Sequence, residues 1–180
     1  MNDGWTLRTG RLVLRPVAYA DLAELVRLKG DPLVFAVMLG GVRTPEQTAR
    51  ELADDIGFWG AHGAGMWTVR SAEGGDFLGL VGMHGRPDGR GIALRFALHA
   101  HAQGRGYASE AAGAALRFAH DRAGLERIVA VARASNIGSR QVLGAIGMRE
   151  CERYERDGYE VVVFESVAPR RPGCASSICR

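Results

Sequence analysis

The residues with the clearest chemical potential lie between positions 98 and 109. Gln103-Gly104-Arg105-Gly106-Tyr107-Ala108-Ser109 follows a strand pattern ending near Leu98 and opens a strong helical stripe. The first amides of a helix have no partner within it, and the helix dipole adds partial positive charge, so such a junction can hold an anion. Gly104 and Gly106 remove side chains where a phosphate would approach the backbone, and Arg105 adds a cation at the rim. A tight turn that needs glycine would read the same way. A second junction follows at Asn136-Ile137-Gly138-Ser139, where Asn136 as an N-cap is the simplest reading. Two strand-to-helix junctions in succession set both helix N-termini at strand carboxyl ends, where α/β sheets bind ligands.

Groups able to move a proton are fewer. His84 ends a strand pattern, His99 and His101 flank the glycine loop, and Glu110 falls in the first helical turn. Tyr154 and Tyr159 sit in the last two strand patterns. Each also has a structural reading: an exposed strand-end histidine, two rim histidines, and a carboxylate that favours the helix dipole. The cysteines, Cys151, Cys174 and Cys179, are odd in number and lack metal-ligand spacing. They argue against a disulfide framework or a metal site and for a reducing compartment.

These residues need elements to position them. Arg11 to Arg15 alternates and stops at Pro16, a short strand. Asp21 to Lys29 has helical spacing and ends at Gly30, a C-cap signal. Asp31 to Thr44 is apolar but irregular. Thr44-Pro45-Glu46-Gln47 starts the next helix, whose apolar stripe is Ala49, Leu52, Ala53, Ile56 and Trp59. Strands follow at Met66 to Arg70, Phe77 to Met83 and Ile92 to His99, the last with Leu94, Phe96 and Leu98 on one face. The alanine-striped helix begins at Ala108; Arg127 to Ala132 is a strand, Ile137 to Ile146 a helix, and Met148 to Tyr154 with Tyr159 to Val167 a closing pair. Adjacent strands need hairpins and strand–helix–strand units need parallel pairing, so the expected fold is α/β (α+β) with a mixed sheet.

Composition bounds the rest. A chain of 180 residues with 47% hydrophobic and 24% charged residues is expected to form one domain with a real core. No run nears the ~18 apolar residues of a membrane span, and the first residues lack a signal peptide's apolar core. The expectation is a cytoplasmic protein with no membrane partner. Lys29 is the only lysine among 23 basic residues, leaving 22 arginines and a net charge of +3. Spread along the chain, that surplus fits composition bias and does not point to nucleic acid.

Gln103 to Ala108 resembles the Q/R-x-x-G-x-G/A acetyl-coenzyme A loop of the GNAT N-acetyltransferases. Asn136 with Ser139 is similar to the N-x-x-S of the branch containing the bacterial ribosomal-protein alanine N-acetyltransferases, as is Thr9 to Pro16 with Asp21 soon after. The resemblance covers residues 7–167 as one domain and leaves 168–180 as a flexible tail. It implies a mostly antiparallel sheet splayed at the cofactor strand and flanked by about four helices. Gln103 through Ser109 would hold the cofactor pyrophosphate, Leu98 would pair with its arm, Asn136 would hydrogen-bond that arm, and Ser139 would protonate the leaving thiolate. No metal is implied. Relatives often carry Glu-Ile/Leu-Gly-Tyr/Trp where this chain has Ala93-Leu94-Arg95-Phe96, and Ala100 replaces a proline. The usual carboxylate is therefore absent, and His84 becomes the base candidate.

The implied activity is acetyl transfer from acetyl-CoA to a primary amine by direct attack. An α-amine, with a pKa of ~7.7–8.0, is far more often neutral at pH 7 than a lysine amine at ~10.4. Without an evident strong base, a protein N-terminus is the favoured acceptor, with Phe35 and Met38 walling its site. The alternatives are a small-molecule or antibiotic amine acetyltransferase and a non-catalytic coenzyme A-binding module. A dinucleotide enzyme fits less well: the third glycine of its fingerprint would fall at Ser109, and Arg133 rather than an acid follows the next strand. A monomer or homodimer is expected.

Overall fold

The computed structural model describes residues 3–169. Eight strands form one sheet in the order β1-β2-β3-β4-β5-β6-β8-β7. The strands are β1 (Leu7–Arg8), β2 (Leu12–Pro16), β3 (Met66–Ser71), β4 (Phe77–Gly85), β5 (Ile92–Leu98), β6 (Arg127–Arg133), β7 (Arg149–Arg156) and β8 (Tyr159–Val167). The helices are α1 (Leu22–Gly30), α2 (Pro32–Phe35), α3 (Pro45–His62), α4 (Tyr107–Asp121) and α5 (Ile137–Ala145). Every strand pairing is antiparallel except that of β5 with β6. The mixed, mostly antiparallel sheet expected from the sequence is therefore present. The expected tail lies outside the described residues from position 170 onward, and with it Cys174 and Cys179.

Helices cover the sheet from both sides. Leu94 and Leu98 of β5 pack with Ile128, Ala130, Val162 and Phe164 against Ala111, Ala112 and Ala115 of α4. The alanines bring the helix close to the strands, as the stripe implied. On the other face Leu25 and Leu28 of α1, Phe35 of α2 and Leu52 of α3 pack over Met66, Leu80 and Ala97. Successive β5 residues thus serve different layers, because strand side chains alternate.

Local signals account for most element ends. Thr44 accepts from the Gln47 amide at 3.2 Å while Gln47 returns a bond to the Thr44 amide at 2.9 Å, so α3 starts in a reciprocal capping box. Three expectations change. Asp31 to Thr44 is not wholly irregular: Asp31 caps the single-turn helix α2 by accepting from the Leu33 amide at 2.9 Å. Gly30 is the last helical residue rather than the cap, and the extended Asp31 ends α1. The buried stripe of α3 is Thr48, Leu52, Asp55 and Trp59, whereas Ala53 is exposed. The helix is rotated so that its two polar members, not the alanine, face inward.

Candidate active site

The site begins where β5 and β6 part. The two strands meet at one residue pair, Ala93 with Val129. Beyond it they diverge, which is the splay that the sequence resemblance implied. On its other side β5 pairs with β4 in unbroken register from Gly85–Ile92 to Gly79–Leu98. The His99 amide bonds to the Leu78 carbonyl at 2.9 Å. Antiparallel alternation then turns the N–H and C=O groups of Phe96 and Leu98 away from β4 and into the opening. The Leu98 carbonyl is taken by the Gln103 side-chain amide at 2.9 Å. Gln103 therefore closes the end of β5 with its side chain, a role the sequence did not suggest.

Next comes the glycine loop. Gly104 and Gly106 adopt left-handed φ angles of 70° and 78°, which an L side chain strains to reach. The amides of Gly104, Arg105, Gly106, Tyr107, Ala108 and Ser109 donate to no protein acceptor among the described residues. The loop carbonyls, by contrast, are in use: Arg105 accepts from Arg11 Nη1 at 3.0 Å and Gly106 from the Glu110 amide at 3.1 Å. Six consecutive donors without acceptors at a helix N-terminus make a strong seat for a phosphate-type anion. The arginines Arg11 and Arg105 lie against the Tyr107 ring, 4.6 and 5.5 Å from its centroid.

Glu110 fastens this loop rather than moving protons. Its Oε1 accepts from the Arg11 amide at 3.0 Å and from the Thr9 hydroxyl, and its Oε2 accepts from Arg11 Nε at 2.8 Å. Burial works against its charge, but the bonds from Thr9 and Arg11 hold the carboxyl below its ordinary value.

A cleft of about 700 Å³ opens on the fork and brings together Ser139, His84, Phe35 and Met38. Ser139 stands in the first turn of α5, and its hydroxyl has no protein partner among the described residues. Asn136 caps α5, accepting from the Ser139 amide at 3.1 Å, and does not line the cleft. Phe35 is almost wholly buried, whereas Met38 is half-buried. His84 stands directly across from Ala93, and its Nδ1 lies 3.1 Å from the Gly85 carbonyl. Burial first, then the Arg95 charge, lowers its pKa to about 3. It is neutral at pH 7 and weakly basic.

The other proton-transfer candidates lie elsewhere. His99 and His101 stack at 5.5 Å beside Phe77, in a separate depression with Glu24, Arg27 and Arg105. Tyr154 lies under Arg90 with its phenol oxygen buried, and Tyr159 lies under Arg133. A shallow depression of about 760 Å³ between residues 6–11 and α4 holds neither Ser139 nor His84.

Sequence reasoning missed the charged wall opposite Ser139. Glu51 accepts from the buried Lys29 at 2.7 Å and from Arg43 Nε at 2.6 Å. Burial alone would raise its carboxyl, but the Lys29 charge and these bonds hold it at about 2. Burial, then Arg95, lowers the pKa of Lys29. Arg95 reaches from β5 to Asp55, Nη2 to Oδ2 at 3.4 Å, and comes within 4.0 Å of Glu51. The available signal was the i, i+4 spacing of Glu51 and Asp55 on one helix.

A mixed sheet forked between two parallel strands, with a donor-rich helix start behind the fork, defines a transferase of the acetyltransferase class. A family model for the acetyltransferase (GNAT) domain matches residues 11–149, so the chain belongs to that family and is an N-acetyltransferase. An acetyltransferase from Agrobacterium tumefaciens is 29% identical, with a TM-score of 0.79 over 89% of this chain and 93% of that one. RimL, a ribosomal alpha-N-protein acetyltransferase solved with coenzyme A, is 16% identical, with a TM-score of 0.74 over 91% and 98%. The ribosomal-protein-S5-alanine acetyltransferase of Vibrio fischeri is 15% identical, with a TM-score of 0.71 over 92% and 97%. At that identity the last two share the fold. No helix among the described residues is long and apolar enough to cross a membrane.

Proposed function

We propose that the protein transfers an acetyl group from acetyl-CoA to a primary amine by direct attack, and that its preferred acceptor is a protein N-terminal α-amine. The observation that carries the cofactor half is the run of unpartnered amides from Gly104 to Ser109 beside the opened β5–β6 fork. These amides would take the pyrophosphate, with Arg105 at the rim. The Leu98 amide and the Phe96 backbone groups would pair with the amide-bearing arm, as a neighbouring strand does. Asn136 would use its free side-chain nitrogen toward that arm while its oxygen caps α5. The domain carrying this function is assigned to residues 7–167.

Bound acetyl-CoA supplies an activated thioester, and the protein must position an amine against it and protonate the thiolate. Ser139, with a free hydroxyl in the cleft, is suited to the second task. His84 is neutral and suited to hydrogen bonding more than to proton removal. An α-amine at pH 7 is already about a tenth neutral, so it asks roughly 3.5 kcal/mol less of the site than a lysine amine. That difference supports the N-terminal acceptor. Thiol release should be followed across peptide N-termini, polyamines and aminoglycosides. Fastest turnover on peptides with a free N-terminus is the expected result; turnover on polyamines or aminoglycosides alone would move the acceptor to small molecules. Silence with every amine would leave a coenzyme A-binding module.

A further inference from the structure

Three acidic residues of α3 line the acceptor cleft, and their surroundings separate them. Glu51 has both oxygens engaged, one by Lys29 and one by Arg43. Asp54 lies on the exposed side of the helix. Asp55 stands in the buried stripe at 8% exposure, yet only one of its oxygens has a protein partner: Oδ2 meets Arg95 at 3.4 Å. Oδ1 has no hydrogen-bond donor among the described residues, although the carboxylate borders the cleft that also holds Ser139. Oδ1 is not among the buried unpartnered atoms, so the free oxygen is reachable from the cleft while the rest of the carboxylate is held against Arg95. The β5 residues on that face, Ala93 and Arg95, provide no carboxylate of their own.

We propose that Asp55 is the catalytic carboxylate of the acceptor side, binding the incoming ammonium through its free oxygen and accepting its proton. Arg95 holds the other oxygen and so fixes the direction in which the free one points. Burial raises the Asp55 carboxyl, while Arg95 and then Lys29 oppose that shift and Glu51 and Asp54 add to it. His84 also faces the cleft, but its pKa, lowered to about 3 by burial and then Arg95, makes it a poor proton acceptor. The proton balance is simple. One proton passes from the ammonium to Asp55, and the freed nitrogen lone pair forms the N–C bond at the thioester carbonyl carbon. The C–S bond breaks, the second nitrogen proton ends on the thiolate sulfur, and Asp55 returns its proton to water.

This inference rests on the reading that an amine attacks in this cleft, and it is tested with Asp55→Asn, which keeps size and removes the charge. Initial rates should be measured from pH 6.5 to 9.5 with the best acceptor, alongside coenzyme A affinity and thermal stability. At pH 7 we expect a loss of about ten- to hundredfold, narrowing as rising pH supplies neutral amine without help. Coenzyme A affinity should be unchanged, and Asp55→Glu should recover part of the rate. A loss that stays constant across the pH range would mark a structural role and overturn the assignment, as would full activity. Should Asp55→Asn fail to fold, Asp55→Ala carries the same test, with a loss that narrows as pH rises expected and a pH-independent loss or full activity overturning the proposal. If the unaltered protein turns over no amine at all, this inference and the acceptor reading both fall. If only Asp55→Asn is indifferent, the inference alone is lost.

Discussion

Arg95 crosses from the sheet to α3 and meets Asp55 at 3.4 Å, joining β5 to the wall of the cleft that holds Ser139. Its charge reaches four groups at once, for it also helps lower the pKa values of His84, Lys29 and Glu51. Replacing Arg95 with alanine removes a like charge from beside His84. The His84 pKa should then move upward from about 3, followed by its ring-proton NMR shifts against pH. A His84 titration unaltered by the substitution would show that burial alone sets its value.

Gly106 is the position at which the anion seat can be tested most directly. A side chain there is strained at φ 78°, and a new carboxylate would face the unpartnered amides. Gly106→Glu should weaken acetyl-CoA binding by about tenfold or more in calorimetry, beyond the effect of Gly106→Ala, which carries only the backbone strain. Equal losses in the two variants would remove the electrostatic explanation.

Ser139→Ala tests proton delivery to the leaving thiolate. Turnover should fall by about tenfold or more while acetyl-CoA affinity holds. Matching losses in turnover and affinity would assign Ser139 to binding instead.

The clamp between Glu110 and the β1–β2 turn makes a prediction about stability. Glu110→Gln keeps hydrogen-bonding groups but removes the charge that Arg11 meets at 2.7 Å. The pair is partly exposed, so the expected cost is about 1 kcal/mol, or roughly 2–4 °C in Tm. Turnover at saturating acetyl-CoA should be retained. A collapse of activity at full stability would instead place Glu110 in the chemistry.

Acid should expose the burial of His84. Its folded pKa of about 3 lies below the ordinary 6.5, so the unfolded chain binds a proton first. Stability from this group is complete above pH 6.5 and is lost as pH falls toward 3. His99, also lowered, acts in the same direction, so the comparison must be with His84→Gln. That variant should lose less Tm between pH 6.5 and 4.5 than the unaltered protein. Parallel Tm curves would mean that His84 is open to solvent.

Much of this molecule is legible along the chain because its signals are local. The capping box at Thr44 and Gln47, the alanine stripe of α4, the paired glycines before it and the Asn136 cap each depend on residues a few positions apart. Backbone sterics and orphan helix amides act at that range, so the loop's ability to hold an anion is written in its own sequence. Charge partners are different. Glu110 looked like a dipole-stabilising residue, and only the packing of the β1–β2 turn onto α4 made it a clamp for Thr9 and Arg11. His84 looked like an accessible base, and only burial beside Arg95 made it a poor proton acceptor. Asp55 lay unnoticed because Ala53 and Ile56 offered a plausible apolar stripe. The rotation of α3 that turned Asp55 inward followed from partners on α1 and β5, 26 and 40 residues away along the chain. The sequence alone determined the order of elements and the glycine loop with its orphan helix amides, since both arise from near-neighbour geometry. Tertiary structure decided which charges meet, because desolvation and Coulomb energy depend on distances that only the folded chain sets.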